Sequence, residues 1–332
     1  MDGVAHEQAL GGDSARPHAP PSHDGHGLAI SLGPALVKQC GGRLTSPEWF
    51  RSTWQHGGAA TGFAHWNNDD GTQTDVLVKL PVGPVEFRWT TQLSSENRDH
   101  ATARVIASGT AIGGYDLAWL IVERLDGQTL SHGWCKESLE DLLRAAAVMQ
   151  ARAAECAPMT PATPSPDWSK LITRARDIAR TSELPEAQHW NEIEKRVQKV
   201  LPRITARWDA RPIDSWCHGD LHPGNAMRRG KACVLIDLAL VHPGHWVEDA
   251  VYLERQFWGK PDQLFGVHLV SLLAKHRRDL GLPTPGDYGA LANIRRVLMA
   301  ACAPVYMARE GHPRYLHAAL ETLDRLIPQV AH

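Results

Sequence analysis

The sequence contains no long apolar run and no closely spaced pair of cysteines. No stretch reaches the roughly 18 consecutive apolar residues that a membrane-spanning helix requires, so we expect no membrane segment. The start of the sequence also lacks the apolar core of a signal peptide, and none is expected. Its six cysteines show no CxxC spacing, which argues against a disulfide framework or a zinc site. A reducing, cytoplasmic environment fits this pattern best.

The sequence also has no excess of basic over acidic residues. The chain has 35 lysines and arginines against 37 aspartates and glutamates, a formal net charge of -2. Because binding to nucleic acid or to an anionic membrane requires a basic face, neither partner is expected. At 332 residues the chain is too long for one ordinary core, so we expect two lobes. The protein is expected to be a monomer or a homodimer.

Composition and periodicity divide the chain into three parts. Residues 1–27 are rich in Gly, Pro, His and Ala and can bury little apolar surface, so they are predicted to be a disordered tail. Residues 28–122 are mainly strand-like, with a helix that begins at Pro84. Residues 123–332 show helical periodicity over most of their length. We therefore predict an α+β fold with a small, β-rich N-lobe and a larger, mostly helical C-lobe.

The individual elements follow from the spacing of apolar residues. Strands are predicted at Asp75–Leu80, Ala103–Ser108 and Ala118–Val122. Helices are predicted at Pro84–Leu93, Ser138–Glu155, Trp168–Arg180, Trp190–Trp208, Val247–Trp258, Pro261–Leu280, Tyr288–Arg309 and Arg314–Val330.

One polar segment has the spacing of a kinase catalytic loop. It runs from His218 to Asn225 with the pattern H-x-D-L-x-x-x-N, and a predicted hairpin follows and ends at Asp237. Because a hairpin places the start of its first strand beside the end of its second, the side chains of Asn225 and Asp237 can converge on one cation. Their amide and carboxylate oxygens suit Mg²⁺. Asp220 lies one loop away, where it can accept a hydrogen bond from an incoming hydroxyl. A plain polar turn is the alternative, and the joint pattern argues against it.

This segment resembles the aminoglycoside phosphotransferase/choline kinase-like family, which has a protein-kinase-like fold. The resemblance rests on HGDLHPGN at 218–225, on the Ile-Asp doublet that ends at Asp237, and on the segment from Gly244 to Ala250. It implies that Asp220 is the catalytic base, that Asn225 and Asp237 bind the metal, and that Asp249 braces the catalytic loop. The sequence departs mildly from the family, with Asp-Ala-Val in place of D-L-A after position 248 and no Trp-Glu after Asp237.

Two histidines flank the predicted base. His218 is expected to hydrogen-bond the loop backbone rather than to transfer a proton. His222 lies where kinases often place a cation that faces the γ-phosphate, and a role in phosphate contact and a plain loop role are equally compatible with its position.

The nucleotide is expected to bind in the N-lobe. Lys79 lies inside the apolar strand Val-Leu-Val-Lys-Leu, where a lysine requires an anionic partner. The resemblance supplies two such partners, the nucleotide phosphates and a helix glutamate. Glu86 is preferred over Glu96 for the glutamate. The turn around Gly57 and Gly58 precedes this strand and is predicted to cover the phosphates with its backbone amides.

The segment 120–127 resembles the family's inter-lobe linker. Such a linker binds the adenine through its backbone, so Glu123, Arg124 and Leu125 are the candidates. Val122 and Leu125 are expected to be apolar walls of the site, and an ordinary core position is equally compatible with both. The expected cofactors are ATP, or GTP, and Mg²⁺.

The acceptor is predicted to be a small molecule with a hydroxyl group, such as an antibiotic, a sugar or an amino alcohol. From residue 260 to the end the chain has nine basic and six acidic residues, so an acidic cleft for a polycation is not evident. A protein substrate is the second hypothesis, but only eleven residues separate Asp237 from Asp249, too few for an activation segment. A non-catalytic nucleotide-binding protein is the third, and the presence of Lys79, Asp220, Asn225 and Asp237 argues against it.

Overall fold

The computed structural model of the protein describes residues 25–50, 59–94, 101–160, 166–182, 184–307 and 313–331. The predicted tail lies outside these residues except for positions 25–27, which begin the first helix. The turn with Gly57 and Gly58 also lies outside them. Within the described ranges, no helix combines the length and the apolar character needed to cross a bilayer.

The helices and strands are bounded as follows. The helices are α1 (Gly25–Gln39), α2 (Pro84–Leu93), α3 (Lys136–Cys156), α4 (Trp168–Thr181), α5 (Ala187–Asp209), α6 (Val247–Arg255), α7 (Leu269–Asp279), α8 (Tyr288–Ala301), α9 (Ala303–Met307) and α10 (Pro313–Val330). The strands are β1 (Glu48–Phe50), β2 (Ala60–Asn67), β3 (Gln73–Leu80), β4 (Val105–Gly109), β5 (Trp119–Glu123), β6 (Ser215–Cys217), β7 (Ala226–Arg229), β8 (Ala232–Leu235) and β9 (His242–Gly244).

Two compact units make up the chain, and they do not follow chain order. The sheet unit contains the described residues up to 132 together with 224–241, and the helical unit contains 133–223 and those after 241. This division differs from the one expected from the sequence, in which all residues after 122 form one lobe. The reason is the β7–β8 hairpin, which pairs with the first segment: the Leu235 amide donates to the Ala101 carbonyl, and the Leu130 amide donates to the Ala226 carbonyl.

The sheet unit is built on a five-stranded antiparallel sheet with the order β1-β2-β3-β5-β4. Because successive side chains of a strand point to opposite faces, β3 contributes to both. Val76, Val78 and Leu80 are fully buried in one apolar cluster, to which α1 also contributes. Leu77 belongs to a second, smaller cluster on the other face, and Lys79 shares that face. The strand lysine therefore points away from the main core of the unit.

The helical unit is a packed set of amphipathic helices. In α3 the apolar residues recur at the helical period and are buried, which forms the contact with α7. The helix α6 packs on α7 and α8, and α10 packs on α5 and α8. The short antiparallel pair β6–β9 lies in this unit and leads directly into the predicted catalytic loop.

Two long helices predicted from the sequence are interrupted in the structure. The predicted helix Pro261–Leu280 divides into a 3-10 turn, Pro261–Leu264, and α7, because Phe265 and Gly266 adopt positive φ angles of 52° and 72° that end a right-handed helix. The predicted helix Tyr288–Arg309 ends at Ala301 and continues as the separate short helix α9. The helix α1 was not predicted, because an internal proline and three glycines weaken its helical signal.

Candidate active site

The loop that follows β6 is held by a carboxylate from the first turn of α6. Asp249 accepts two backbone hydrogen bonds, from the His218 amide at 3.0 Å and from the Gly219 amide at 3.0 Å. Gly219 has a φ angle of 82°, a conformation that glycine adopts without steric cost. The predicted bracing role of Asp249 is confirmed by these contacts, which fix the backbone immediately before Asp220.

Asp249 is itself anchored in a buried polar network of the helical unit. Gln150 on α3 donates to its carboxylate at 3.0 Å. Arg277 on α7 donates in turn to the side-chain oxygen of Gln150 at 2.6 Å and to the hydroxyl of Ser215 at 3.0 Å. Since buried polar groups require hydrogen-bond partners, this network couples the loop to α3, α6 and α7.

The carboxylate of Asp220 is held by its neighbours in the same unit. The hydroxyl of Tyr252 donates to its Oδ1 at 2.6 Å, and Nε2 of His222 lies 3.6 Å from its Oδ2. Burial alone would raise the pKa of Asp220, but the interactions with His222, Tyr252 and His218 outweigh it and lower the pKa to about 2. Asp220 is therefore ionised throughout the neutral range and ready to accept a hydrogen bond.

The structure separates the roles of the two loop histidines. His218 is fully buried, and its Nδ1 accepts the backbone hydrogen bond of Asp220 at 3.3 Å. The prediction that His218 bonds the loop backbone is confirmed. The side chain of His222 is 12% exposed and faces Asp220.

In the sheet unit, Lys79 on β3 forms an ion pair with Glu86 in the first turn of α2. Burial alone would lower the pKa of Lys79, but the charges of Glu86 and Asp237 outweigh it and raise the pKa. Lys79 is thus a fixed cation with two carboxylates around it. The choice of Glu86 as its helix partner agrees with this pair, and Glu96 lies outside the described residues.

The hairpin β7–β8 brings Asn225 and Asp237 to the same end of the sheet unit. Ala226 pairs with Leu235, and the amide of Ile236 donates to the carbonyl of Asn225 at 2.9 Å. Asn225 is buried, while Asp237 is exposed and has a φ angle of 59°. A left-handed conformation is uncommon at residues other than glycine, and such residues are over-represented at functional sites. Both side chains offer oxygen donors, so this pair fits the ligand chemistry of Mg²⁺.

Two residues of the predicted linker form backbone hydrogen bonds with the sheet unit. The amide of Glu123 donates to the carbonyl of Arg104 at 2.8 Å, and the amide of Arg124 donates to the carbonyl of Asp75 at 3.0 Å. The Glu123 carboxylate accepts from the Arg104 amide at 2.8 Å and from Arg229 at 3.1 Å. Glu123 therefore stabilises the sheet unit. Among the three candidates for adenine contact, Leu125 is the one with an apolar side chain.

Leu125 lies beside a small apolar cluster on the Lys79 face of the sheet. The buried members of the cluster are Val82, Ala103, Leu120 and Val122, and partly buried side chains such as Leu77 pack against it. An apolar surface next to a fixed cation suits a ligand with a flat ring and an anionic tail.

A second group of metal-type ligands lies in the helical unit, formed by Cys217, His242 and Glu248. Glu248 already pairs with Arg211 at 3.0 Å and lies 3.8 Å from Arg295. Burial alone would raise the pKa of Glu248, but His242 and the two guanidinium groups lower it. Two buried cations at the carboxylate oppose a metal ion there, so Asn225 and Asp237 remain the candidate metal ligands.

The sequence did not indicate three of the residues that hold the catalytic loop. Tyr252 lies three residues after Asp249, and residues at this spacing share one face of a helix, so the periodicity of α6 carries a signal for it. Gln150 and Arg277 have no such signal in the sequence. Gln150 lies 99 residues from its partner Asp249, and Arg277 lies 62 residues from its partner Ser215. The predicted site residues fall into both units: Asp220 and His222 in the helical unit, and Lys79, Glu86, Asn225, Asp237, Glu123 and Leu125 in the sheet unit.

Solved structures of several small-molecule kinases share the fold. Aminoglycoside phosphotransferase from Alicyclobacillus acidocaldarius is 15% identical, with a TM-score of 0.53 over 97% of this chain and 98% of that chain. Choline kinase from Cryptosporidium parvum is 13% identical, with a TM-score of 0.53 over 92% and 96%. The amicoumacin kinase hAmiN, in complex with AMP-PNP, Ca²⁺ and Ami, is 12% identical, with a TM-score of 0.51 over 92% and 96%. The predicted α+β, protein-kinase-like fold is confirmed.

Sequence comparison assigns the family. No curated protein sequence matches the chain significantly. The model of the family described as "Phosphotransferase enzyme family" matches residues 79–291, which begin at the strand lysine and include the catalytic loop and Asp249. Because this match spans more than half of the chain, the protein belongs to the aminoglycoside phosphotransferase/choline kinase-like family of phosphotransferases.

Proposed function

We propose that the protein transfers the γ-phosphate of ATP or GTP to a hydroxyl group of a small molecule. The hydroxyl oxygen forms a bond to the γ-phosphorus, the bond from that phosphorus to the β,γ-bridging oxygen breaks, and the nucleoside diphosphate leaves. The hydroxyl proton passes to Asp220. An antibiotic, a sugar or an amino alcohol is the expected acceptor class.

The observation that carries this proposal is the arrangement around Lys79. A partly buried strand lysine that pairs with a helix glutamate and lies in the field of a second carboxylate is the pattern that protein kinases use to hold nucleotide phosphates. The apolar cluster on the same face of the sheet supports binding of the nucleotide base, with Leu125 rather than Glu123 as the linker residue in contact with it.

Asp220 suits the role of the residue that orients the acceptor. With its pKa lowered to about 2, it is a weak base at neutral pH, and its main contribution is to align the hydroxyl by a hydrogen bond. In a loose phosphoryl-transfer transition state the hydroxyl proton is transferred late, so a weak base is sufficient.

Asn225 and Asp237 are the proposed ligands of Mg²⁺. When bound, the ion neutralises charge on the nucleotide phosphates. The contribution of the chain is the geometry of the hairpin, which brings an amide oxygen and a carboxylate to the same end. His222 is proposed to face the γ-phosphate as an additional hydrogen-bond donor.

A screen for phosphate transfer tests the proposal. Purified protein is incubated with ATP or GTP, Mg²⁺ and panels of aminoglycosides, macrolides, amino alcohols and sugars, and each product is examined by mass spectrometry. At least one acceptor is expected to gain the mass of one phosphoryl group, and chelation of Mg²⁺ should abolish the gain. Failure to bind either nucleotide would contradict the proposal.

Replacement of Lys79 is expected to slow phosphate transfer, because the variant lacks the cation that is proposed to hold the nucleotide phosphates. Lys79→Met should lower kcat/KM by about 100-fold, the scale on which loss of one charge-stabilising group acts. The measurement is steady-state kinetics with the acceptor identified by the screen. Lys38→Met, which removes an exposed lysine of the same unit, is the matched control and should behave like the wild type. An equal activity for Lys79→Met and Lys38→Met would refute the assignment of Lys79.

A further inference from the structure

One helix of the helical unit controls both the backbone and the side chain of the catalytic loop. Asp249, in the first turn of α6, fixes the amides of His218 and Gly219, and Tyr252, one turn later, donates to Oδ1 of Asp220 at 2.6 Å. Residues three apart on a helix share one face, so both groups reach the loop from the same side of α6.

The position of the Tyr252 hydroxyl is preorganised. The residue is only 3% exposed, and the guanidinium of Arg255 lies 5.2 Å from the centre of its ring, within the range of a cation–π contact. Arg255 is also buried and lies on the next turn of the same helix. The ring therefore has little freedom to move, and its hydroxyl is a fixed donor.

A fixed hydrogen-bond donor can hold the carboxylate of an aspartate in one orientation. The last torsion of an aspartate side chain is broad, so packing alone does not determine where the two oxygens point. A hydrogen bond to one oxygen fixes this torsion. Each carboxylate oxygen can accept two hydrogen bonds, so the bond from Tyr252 to Oδ1 does not by itself prevent a second one from a substrate hydroxyl.

We propose that Tyr252 is a positioning residue that fixes the rotation of the Asp220 carboxylate and thereby aligns the acceptor hydroxyl with the γ-phosphorus. This inference rests on the proposed function, since it concerns the same reaction. Tyr252 acts through Asp220 and is itself not expected to contact the nucleotide. Its contribution should therefore appear in kcat and not in the KM for the nucleotide.

Tyr252→Phe tests the proposal, because phenylalanine keeps the ring and removes only the hydroxyl. We expect kcat to fall by about 10- to 100-fold, as for a lost hydrogen bond to a charged group, with an unchanged KM for ATP. Tyr306→Phe is the matched control: this ring also lies near Arg255, at 6.0 Å, and its substitution should leave kcat unchanged.

A double-mutant cycle separates positioning from a general structural role. If Tyr252 acts through Asp220, adding Tyr252→Phe to Asp220→Ala should lower the residual kcat no further. Wild-type kcat in Tyr252→Phe, or a full additional loss in the double mutant, would overturn the inference. Either result would leave the proposed function intact as long as Asp220→Ala alone is strongly impaired, so the two claims fail separately.

Discussion

Asp220→Asn is expected to lower kcat by about 1,000-fold, in the middle of the range for removal of a general base. Asparagine keeps the shape of the side chain and an oxygen that can accept from Tyr252, but it carries no negative charge and cannot take the proton. Because Asp220 is ionised well below neutral pH, the wild-type enzyme should show no loss of activity from this group as the pH falls through the neutral range.

The measurement is steady-state kinetics with the acceptor that the wild type phosphorylates, together with the affinity for ATP. The affinity should stay within a factor of about two, since Lys79 and its partners lie in the other unit. Asp209→Asn replaces an exposed aspartate of the helical unit and should retain full activity. If Asp220→Asn retained the kcat of this control, Asp220 would not be the catalytic residue.

Among the substitutions proposed here, Asp249→Ala is expected to cause the largest loss of stability, about 3–5 kcal/mol in the free energy of unfolding. The carboxylate is almost fully buried and accepts from two backbone amides and from Gln150. Its removal leaves these donors without their acceptor in a region closed to water, and each such group costs about 1–3 kcal/mol. The loss should be measured by denaturant unfolding at equilibrium.

Asp167→Ala provides the comparison for this stability effect. Asp167 is exposed and caps α4 by accepting a single backbone hydrogen bond, from Lys170 at 2.9 Å. Loss of such a cap costs about 1 kcal/mol. The account requires a clearly larger loss for Asp249→Ala than for Asp167→Ala. Equal losses would show that the network around Asp249 does not hold the loop.

The catalytic segment could be predicted because its chemistry is local in sequence. Asp220, Asn225 and the end of the hairpin at Asp237 lie within 18 residues, and the spacing alone restricts how they can be arranged. Lys79 was predictable for a related reason, since a cation inside an apolar strand requires a partner. The helix α2 was bounded correctly because Pro84 marks its start.

The remaining features depend on contacts between distant parts of the chain. The hairpin joins the sheet unit through hydrogen bonds from Leu235 to Ala101 and from Leu130 to Ala226, which no local pattern reveals. The same holds for the link between Gln150 and Asp249. The role of Glu123 was also hidden, because its amide bonds to Arg104 only once the sheet has formed.

The central claim is transfer of a phosphoryl group to a small-molecule hydroxyl with the participation of Asp220. Its most direct test is the mass of the acceptor after incubation with ATP and Mg²⁺, compared between the wild type and Asp220→Asn. The account predicts an acceptor heavier by one phosphoryl group with the wild type and almost none with the variant in the same time. Equal conversion by both proteins, or hydrolysis of ATP without a phosphorylated acceptor across the whole panel, would contradict it.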